Sequence, residues 1–209
     1  MPRQIPIPAV VSAILEGYKE AHSLYHDMTG GLWLWQAPEY FITSTVAKSI
    51  FAIQGPKYLT LENNVRSAIE DAGAKGCGRL SADFRQNGRA DITLWWADGT
   101  PRAIVEIKNQ MFSNFQLEKD IRRIKAFLLR RREATTYQFG AFGFYGSATG
   151  DNQEHISEKL ESKTSDVLER TRELIGDALV AELFTTSVTR ELEHDAWHAA
   201  CILIKPRNT

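Results

Sequence analysis

The segment ADITLWWADGTPRAIVEIKNQ, residues 90–110, decides how the fold is interpreted. Apolar residues dominate on both sides of ADGTP, and an Asp-Gly pair between two such runs is typical of a β-hairpin. We therefore predict two antiparallel strands, 90–96 and 102–108, joined by a turn near residues 98–100. Charged side chains interrupt these strands at Asp91, Glu106 and Lys108, and the reason for that interruption is the functional question.

The hairpin brings its three charged residues together. A turn near residues 98–100 places Asp91 opposite residue 106 or 108, on the same sheet face as Glu106 and Lys108, because side chains alternate along a strand. Directly opposed Cβ atoms are only ~4.5–5.5 Å apart. Two close carboxylates repel each other unless a cation lies between them, and Mg²⁺ suits such a pair. The alternative is an edge strand with charged outward residues, in which Lys108 prevents aggregation.

Hydrophobic periodicity predicts the remaining elements. We predict helices over residues 9–27, 39–53, 58–73, 116–132 and 154–184, and strands over 78–86, 90–96, 102–108, 137–148 and 196–205. The predicted fold class is α/β, with a central mixed sheet of about five strands flanked by helices. Its core order is α-β-β-β-α-β, followed by an α-β extension. Residues 1–56 form an N-terminal helical elaboration in this scheme, and residues 57–209 form the main domain.

The composition restricts the class of protein without naming a function. The 209 residues are 43% apolar and 24% charged, which is typical of a globular domain. Two cysteines and no long apolar run predict a cytoplasmic protein without membrane spans. Residues 116–133 hold seven Lys or Arg against three acidic residues, so a polyanion is an acceptable partner.

Asp91, the hairpin and the Glu106-Ile107-Lys108 tripeptide together resemble the D…(D/E)-x-K motif of the PD-(D/E)XK nuclease superfamily. These restriction-endonuclease-like phosphodiesterases share an α-β-β-β-α-β core, the order predicted above from residue 58 to about residue 148. Ala90 stands where the motif often has proline. The resemblance implies a restriction-endonuclease-like core and a Mg²⁺-dependent DNA nuclease, with endonuclease action favoured and Mn²⁺ as a substitute metal.

The resemblance also assigns roles to the matched residues. Asp91 and Glu106 would bind Mg²⁺ with the carbonyl of Ile107, and Lys108 would hold the attacking water and offset charge on the phosphate. Many members add a glutamate from the helix before the first strand. We predict Glu62 for that role, with Glu39 as the competitor. Either glutamate could instead simply favour the dipole of its own helix as a first-turn acid.

Contacts to nucleic acid are predicted on the basic helix and beside the motif. Gln116, Lys119 and Arg123 would contact backbone phosphates, and Gln110 would help to position water or phosphate. The expected partner is DNA, with RNA not excluded and no membrane, and cleavage of a duplex would suit a homodimer. Two alternatives stay open. One is a catalytically inactive nucleic-acid-binding or protein-interaction module on the same fold. The other is an unrelated α/β protein with a surface ion pair.

Overall fold

The computed structural model describes residues 5–55, 57–64, 67–68, 89–110, 114–129, 136–150, 152–192 and 194–207. Within these ranges lie four long helices, a short 3₁₀ turn at Leu34–Gln36 and seven strands. The helices are α1 (Ile7–Thr29), α2 (Glu39–Ala52), α3 (Asn114–Leu129) and α4 (Gln153–Ile175). The strands are β1 (Lys57–Asn64), β2 (Arg89–Trp96), β3 (Pro101–Lys108), β4 (Phe139–Thr149), β5 (Leu179–Thr185), β6 (Thr189–Leu192) and β7 (Asp195–Pro206).

The strands form one mixed sheet in the order β1-β2-β3-β4-β7-β5, with β6 paired to β7. Strands β3 and β4 are parallel, and every other described pair is antiparallel. A parallel pair needs a crossover, and α3 supplies it between β3 and β4. The chain is therefore α/β with helices flanking a mixed sheet, and the sheet has seven strands where the sequence predicted about five.

Helices cover both faces of the sheet. On one face, α1 and α2 pack over apolar side chains of the central strands, including Val105, Ile107 and Ala141. On the other face, α3 and α4 pack over a second set that includes Ile104, Phe142 and Ile202. Because β3 is covered on both sides, a charged side chain within it needs a partner of its own. None of the described helices is long and apolar enough to span a membrane.

Two glycines allow α1 to lie close to its neighbours. A Cβ on Gly17 would come within 2.7 Å of Val46 Cα in α2, and one on Gly143 would come within 2.9 Å of Tyr18 Cε2. Both contacts would be too short for any larger residue. The glycines therefore let α1 and α2 pack tightly together, with Tyr18 of α1 lying directly on the sheet.

Two predicted helices are wrong in part. Residues 57–64 form strand β1, paired with β2 through Tyr58↔Trp95 and Leu61↔Ile92, where a helix over 58–73 was predicted. Of residues 65–73 the structure describes only 67 and 68, and these are helical as predicted. Cross-strand pairing satisfies the backbone of this edge strand and overrides its helix-like spacing. Helix α4 ends at Ile175 and not near residue 184, because Gly176 caps it with φ 68° and residues 179–185 pair with β7.

The other predicted elements are confirmed where the structure describes them. Strands β2, β3, β4 and β7 and helices α1, α2 and α3 lie where the sequence predicted them, within a few residues. The predicted strand over 78–86 and the residues Arg130, Arg131 and Arg132 lie outside the described ranges.

Candidate functional site

The candidate site lies where β2 and β3 separate. The register Ile92↔Val105 is the last described pair at this end of the ladder, and one further step would place Asp91 opposite Glu106. Instead of a backbone partner on β2, the Ile107 N–H donates to Asp91 Oδ2 at 2.7 Å. The Asp91 carboxylate therefore bridges the gap between the two strands, next to the three consecutive motif residues of β3.

Glu106 is completely buried and is held by one arginine of α3. Nη1 of Arg123 lies 2.8 Å from Oε1 and 2.7 Å from Oε2 of this carboxylate. The same nitrogen donates to the Arg89 carbonyl at 3.0 Å, while Nη2 lies 3.0 Å from Oδ1 of Asp120. A buried carboxylate is costly unless it is paired, and Arg123 provides the pair.

Lys108 ends β3 between two carboxylates on different helices. Its Nζ lies 2.9 Å from Oε1 of Glu39, the first residue of α2, and 3.2 Å from Oδ2 of Asp120 in α3. The hydroxyl of Tyr18 donates to the Lys108 carbonyl at 2.9 Å and accepts from the Lys108 N–H at 3.2 Å. The backbone and the side chain of Lys108 are thus both fixed by groups from the helices.

Negative charge exceeds positive charge in this cluster. It contains the carboxylates of Asp91, Glu106, Asp120 and Glu39 against the two cations Lys108 and Arg123. With all six groups ionised, the cluster carries an excess of two negative charges. A charge imbalance of this size in a largely dehydrated place favours uptake of either protons or a cation.

The acid pKa values reflect that imbalance. Burial raises the pKa of the Asp91 carboxyl to about 6, although the Ile107 N–H and the charge of Lys108 oppose the shift. Burial, assisted by the charge of Asp91, raises the pKa of Glu106 well above its ordinary value. Burial opposes charge on Lys108, but Asp120 and Glu39 outweigh it and raise the pKa of the ammonium. Lys108 therefore stays protonated at neutral pH.

The donor set fits a hard divalent cation. Mg²⁺ typically uses one or two carboxylates and leaves its other positions to water and phosphate oxygens. Asp91 and Glu106 match that demand in number and in chemical type. Among the described residues there is no group of three or more His, Cys, Asp or Glu side chains arranged to hold a metal ion, so the pair would need solvent or substrate as further ligands.

Of the two candidate glutamates, Glu39 is the one that contacts the motif. Glu62 lies on edge strand β1, exposed, with φ 51°, and its neighbouring pairs Leu61↔Ile92 and Asn63↔Ala90 place it across from Asp91. None of the described ion pairs joins Glu62 to the cluster, whereas Glu39 contacts Lys108 directly. The helix that was expected to point Glu62 towards the core is a strand, so the reason for preferring Glu62 over Glu39 is wrong.

The predicted nucleic-acid contacts occupy different environments. Lys119 is exposed on α3, and Gln110 donates to Ser147 Oγ at 3.3 Å. Gln116 lies in the first turn of α3, and its side chain is outside the described part of the chain. Arg123 is 6% exposed and is paired with Glu106 and Asp120, so in this conformation its guanidinium is not presented to a DNA backbone.

Sequence reasoning missed Tyr18 and Asp120. Asp120 was counted only as an acid in a basic helix, although its spacing from Arg123 is the helical i, i+3 spacing that brings side chains together. Tyr18 lies on the apolar face of α1, and its sequence context does not distinguish it from a core residue.

Comparisons with known proteins identified no similar protein. The chain matches no protein-family model, and neither a search of curated proteins nor a search of solved structures found a similar protein.

Proposed function

We propose that this protein is a Mg²⁺-dependent nuclease that hydrolyses phosphodiester bonds of DNA at the Asp91–Glu106–Lys108 cluster. The observation that carries the proposal is the excess of carboxyl groups over cations, four to two among the described residues of the cluster, at the point where β2 and β3 separate. A divalent cation would balance that excess, and Lys108 would face the anionic substrate. Mn²⁺ would serve as a substitute, since it accepts similar ligands.

The order of elements supports a restriction-endonuclease-like core. Among the described elements, α2, β1, β2, β3, α3 and β4 follow one another as helix, three strands, helix and strand, with the helical residues Ser67 and Ala68 between β1 and β2. This is the order that the PD-(D/E)XK resemblance implies, although it begins one helix earlier in the chain than the sequence suggested. In this alignment Glu39 belongs to the helix that precedes the first strand, as the additional glutamate of that superfamily does.

Each residue of the cluster has a distinct task in the proposed reaction. Bound to Asp91, Glu106 and the carbonyl of Ile107, Mg²⁺ would act as a Lewis acid and lower the pKa of a bound water. Lys108 donates a hydrogen bond to the attacking water, and its positive charge stabilises the scissile phosphate. Its raised pKa suits a hydrogen-bond donor and not a general base. Glu39 orients the Lys108 ammonium, and Tyr18 fixes the backbone that carries it.

We assign DNA as the partner from the surface that borders the cluster. Helix α3 presents the exposed Lys119 on its solvent side, while Asp120 and Arg123 face inwards. Surface cations of this kind bind backbone phosphates without reading sequence. Cleavage of both strands of a duplex would need two such sites, which a homodimer would supply. Cys201 is free and buried, which suits the reducing cytoplasm, where we place the activity.

A second candidate function follows from the pairing of Glu106 with Arg123. An inactive nucleic-acid-binding or protein-interaction module could keep the same residues as a buried ion-pair network, because Glu106 and Lys108 both already have partners. The excess of carboxyl groups favours the nuclease, because a bound cation would let Asp91 and Glu106 both ionise at neutral pH.

The test is metal-dependent DNA cleavage by purified variants. Covalently closed plasmid, circular single-stranded DNA and a matched RNA are each incubated with the protein in Mg²⁺, in Mn²⁺ and in EDTA. We expect nicking by the wild type with either metal, none in EDTA, and a loss of at least about 100-fold in Glu106→Gln and Lys108→Met. Equal cutting by all three proteins would indicate a contaminating nuclease. Metal-independent DNA binding without cutting by any of them would favour the inactive module.

A further inference from the structure

The contact between Arg123 and Glu106 is unusual in its geometry. An arginine commonly meets a carboxylate through two parallel hydrogen bonds from two nitrogens. Here the single nitrogen Nη1 lies 2.8 and 2.7 Å from the two carboxylate oxygens, so it takes a position almost equidistant from both. That is the place where a cation bound by both oxygens of the carboxylate would stand. One positively charged group therefore occupies the chelating face of Glu106.

Arg123 has a second anchor that does not depend on Glu106. Nη2 pairs with Asp120 one helical turn earlier on α3, and both side chains are buried. Asp120 also pairs with Lys108, so this carboxylate connects the two cations of the cluster. A guanidinium that loses Glu106 would keep Asp120 and would remain attached to α3.

We infer that Arg123 is a resident counter-ion that a divalent cation must displace from Glu106, with Asp120 retaining the guanidinium after the exchange. This inference rests on the proposed metal site and concerns how that site is loaded. Two positive charges cannot share the chelating face of one carboxylate, because their repulsion in a dehydrated place is large. The affinity for the metal then depends on the difference between two free energies, that of binding the ion to Glu106 and that of pairing Arg123 with Glu106. Arg123 is accordingly a positioning residue that keeps Glu106 ordered until metal arrives.

The test measures binding of Mn²⁺ alone, without DNA, to the full chain. Calorimetric titration with MnCl₂ at pH 8, together with thermal melting in the same buffer, is applied to the wild type, Arg123→Gln, Arg122→Gln and Glu106→Gln. Arg122→Gln is the matched control, because it removes the same charge from the neighbouring position of α3, where Arg122 is half exposed and contacts only Glu118 at 3.7 Å among the described ion pairs. We expect Arg123→Gln to bind Mn²⁺ at least about tenfold more tightly than the wild type, and Arg122→Gln to stay within about twofold.

The outcomes separate this inference from the proposed function. If Glu106→Gln abolishes Mn²⁺ binding while folded Arg123→Gln binds no more tightly than Arg122→Gln, the metal site stands and the counter-ion role is overturned. If Glu106→Gln binds Mn²⁺ as well as the wild type does, the metal site itself fails. Should Arg123→Gln be unfolded without metal, refolding on addition of MnCl₂ supports the inference. If it stays unfolded, Arg123→Lys decides, because lysine offers one nitrogen where Arg123 uses two, Nη1 for Glu106 and Nη2 for Asp120. A gain in Mn²⁺ affinity of about threefold supports the displacement, and no gain overturns it.

Discussion

Glu39 Oε1 accepts a hydrogen bond from Lys108 Nζ at 2.9 Å, across 69 residues of sequence. The contact joins the first turn of α2 to the last residue of β3, and it places a carboxylate from outside the hairpin beside the motif lysine. Because Asp120 holds the same ammonium from α3, Lys108 is fixed from two helices on either side of the sheet edge. The orientation of this lysine, more than its mere presence, distinguishes the cluster from a chance surface pair.

Glu39 and Glu62 form a matched pair of substitutions. We expect Glu39→Gln to lower DNA cleavage by at least about tenfold, because the amide cannot hold the Lys108 ammonium as a carboxylate does. Glu62→Gln should change the rate by less than about twofold, since the exposed Glu62 joins none of the described ion pairs of the cluster. The initial rates of plasmid nicking in Mg²⁺ are compared for the two variants. A larger loss in Glu62→Gln than in Glu39→Gln would reverse the assignment.

Lys108 is expected to act through its charge. Lys108→Arg keeps a cation but changes its shape, and Lys108→Met keeps the length of the side chain without the charge. The cleavage rate should fall in the order wild type, arginine variant, methionine variant, with the methionine variant at least about 100-fold below the wild type. Binding of uncleaved DNA in Ca²⁺, measured by fluorescence anisotropy, should change by much less. Loss of binding in parallel with cleavage would mean that Lys108 only anchors the substrate.

Asp91 should make the stability of the metal-free protein depend on pH. Its pKa is about 6 in the fold against an ordinary value of 3.8, so the folded state holds the proton more tightly than the unfolded state does. Stability therefore falls as pH rises from about 4 through about 6, by up to roughly 2–3 kcal/mol. Glu106 contributes a change of the same sign, while Lys108 stays charged across this range.

Asp91→Asn isolates that contribution, because the amide oxygen can still accept the hydrogen bond from the Ile107 N–H. The free energy of unfolding, measured with urea in EDTA, should fall less from pH 4.5 to pH 7.5 in Asp91→Asn than in the wild type. Added MgCl₂ should raise the free energy of unfolding of the wild type at pH 7.5 and have little effect on that of Asp91→Asn. An identical pH dependence in both proteins would mean that the Asp91 carboxyl does not titrate in this window.

Tyr18 should matter for stability through its hydroxyl. Tyr18→Phe leaves the Lys108 carbonyl and N–H without their shared partner in a buried place, at a cost of about 1–3 kcal/mol. Tyr40→Phe, on α2 and 72% exposed, should stay within about 0.5 kcal/mol of the wild type. Chemical denaturation provides the comparison. Equal stabilities of the two variants would remove Tyr18 from the support of the site.

The hairpin and the motif could be predicted from local sequence because both depend on local rules. An Asp-Gly turn and alternation along two strands are enough to place Asp91, Glu106 and Lys108 near each other. Strand β1 was missed because Tyr58, Leu59 and Leu61 also fit a helical spacing, and only pairing with β2 selects the strand. The sequence of α4 carried its own stop signal in Gly176, which was overlooked.

The partners of the motif could not be derived in the same way. Glu39, Tyr18 and Asp120 lie on three different helices, and their contacts with Lys108 depend on how those helices pack on the sheet. Close packing at Gly17 and Gly143 sets the positions of α1 and α2, and neither glycine differs in sequence context from an ordinary one. Arg123 was predicted to contact DNA, but it lies on the side of α3 that faces Glu106 and not the solvent.

We propose that Asp91 and Glu106 jointly hold the cation on which nuclease activity depends. The most direct measurement is the initial rate of nicking of covalently closed circular DNA across a Mg²⁺ titration. Wild type and Asp91→Asn are purified identically and compared at one DNA concentration. We expect saturable, Mg²⁺-dependent nicking by the wild type and a loss of at least about 100-fold in Asp91→Asn at every Mg²⁺ concentration. Equal rates in the two folded proteins, or no nicking by the wild type at any Mg²⁺ concentration, would contradict it.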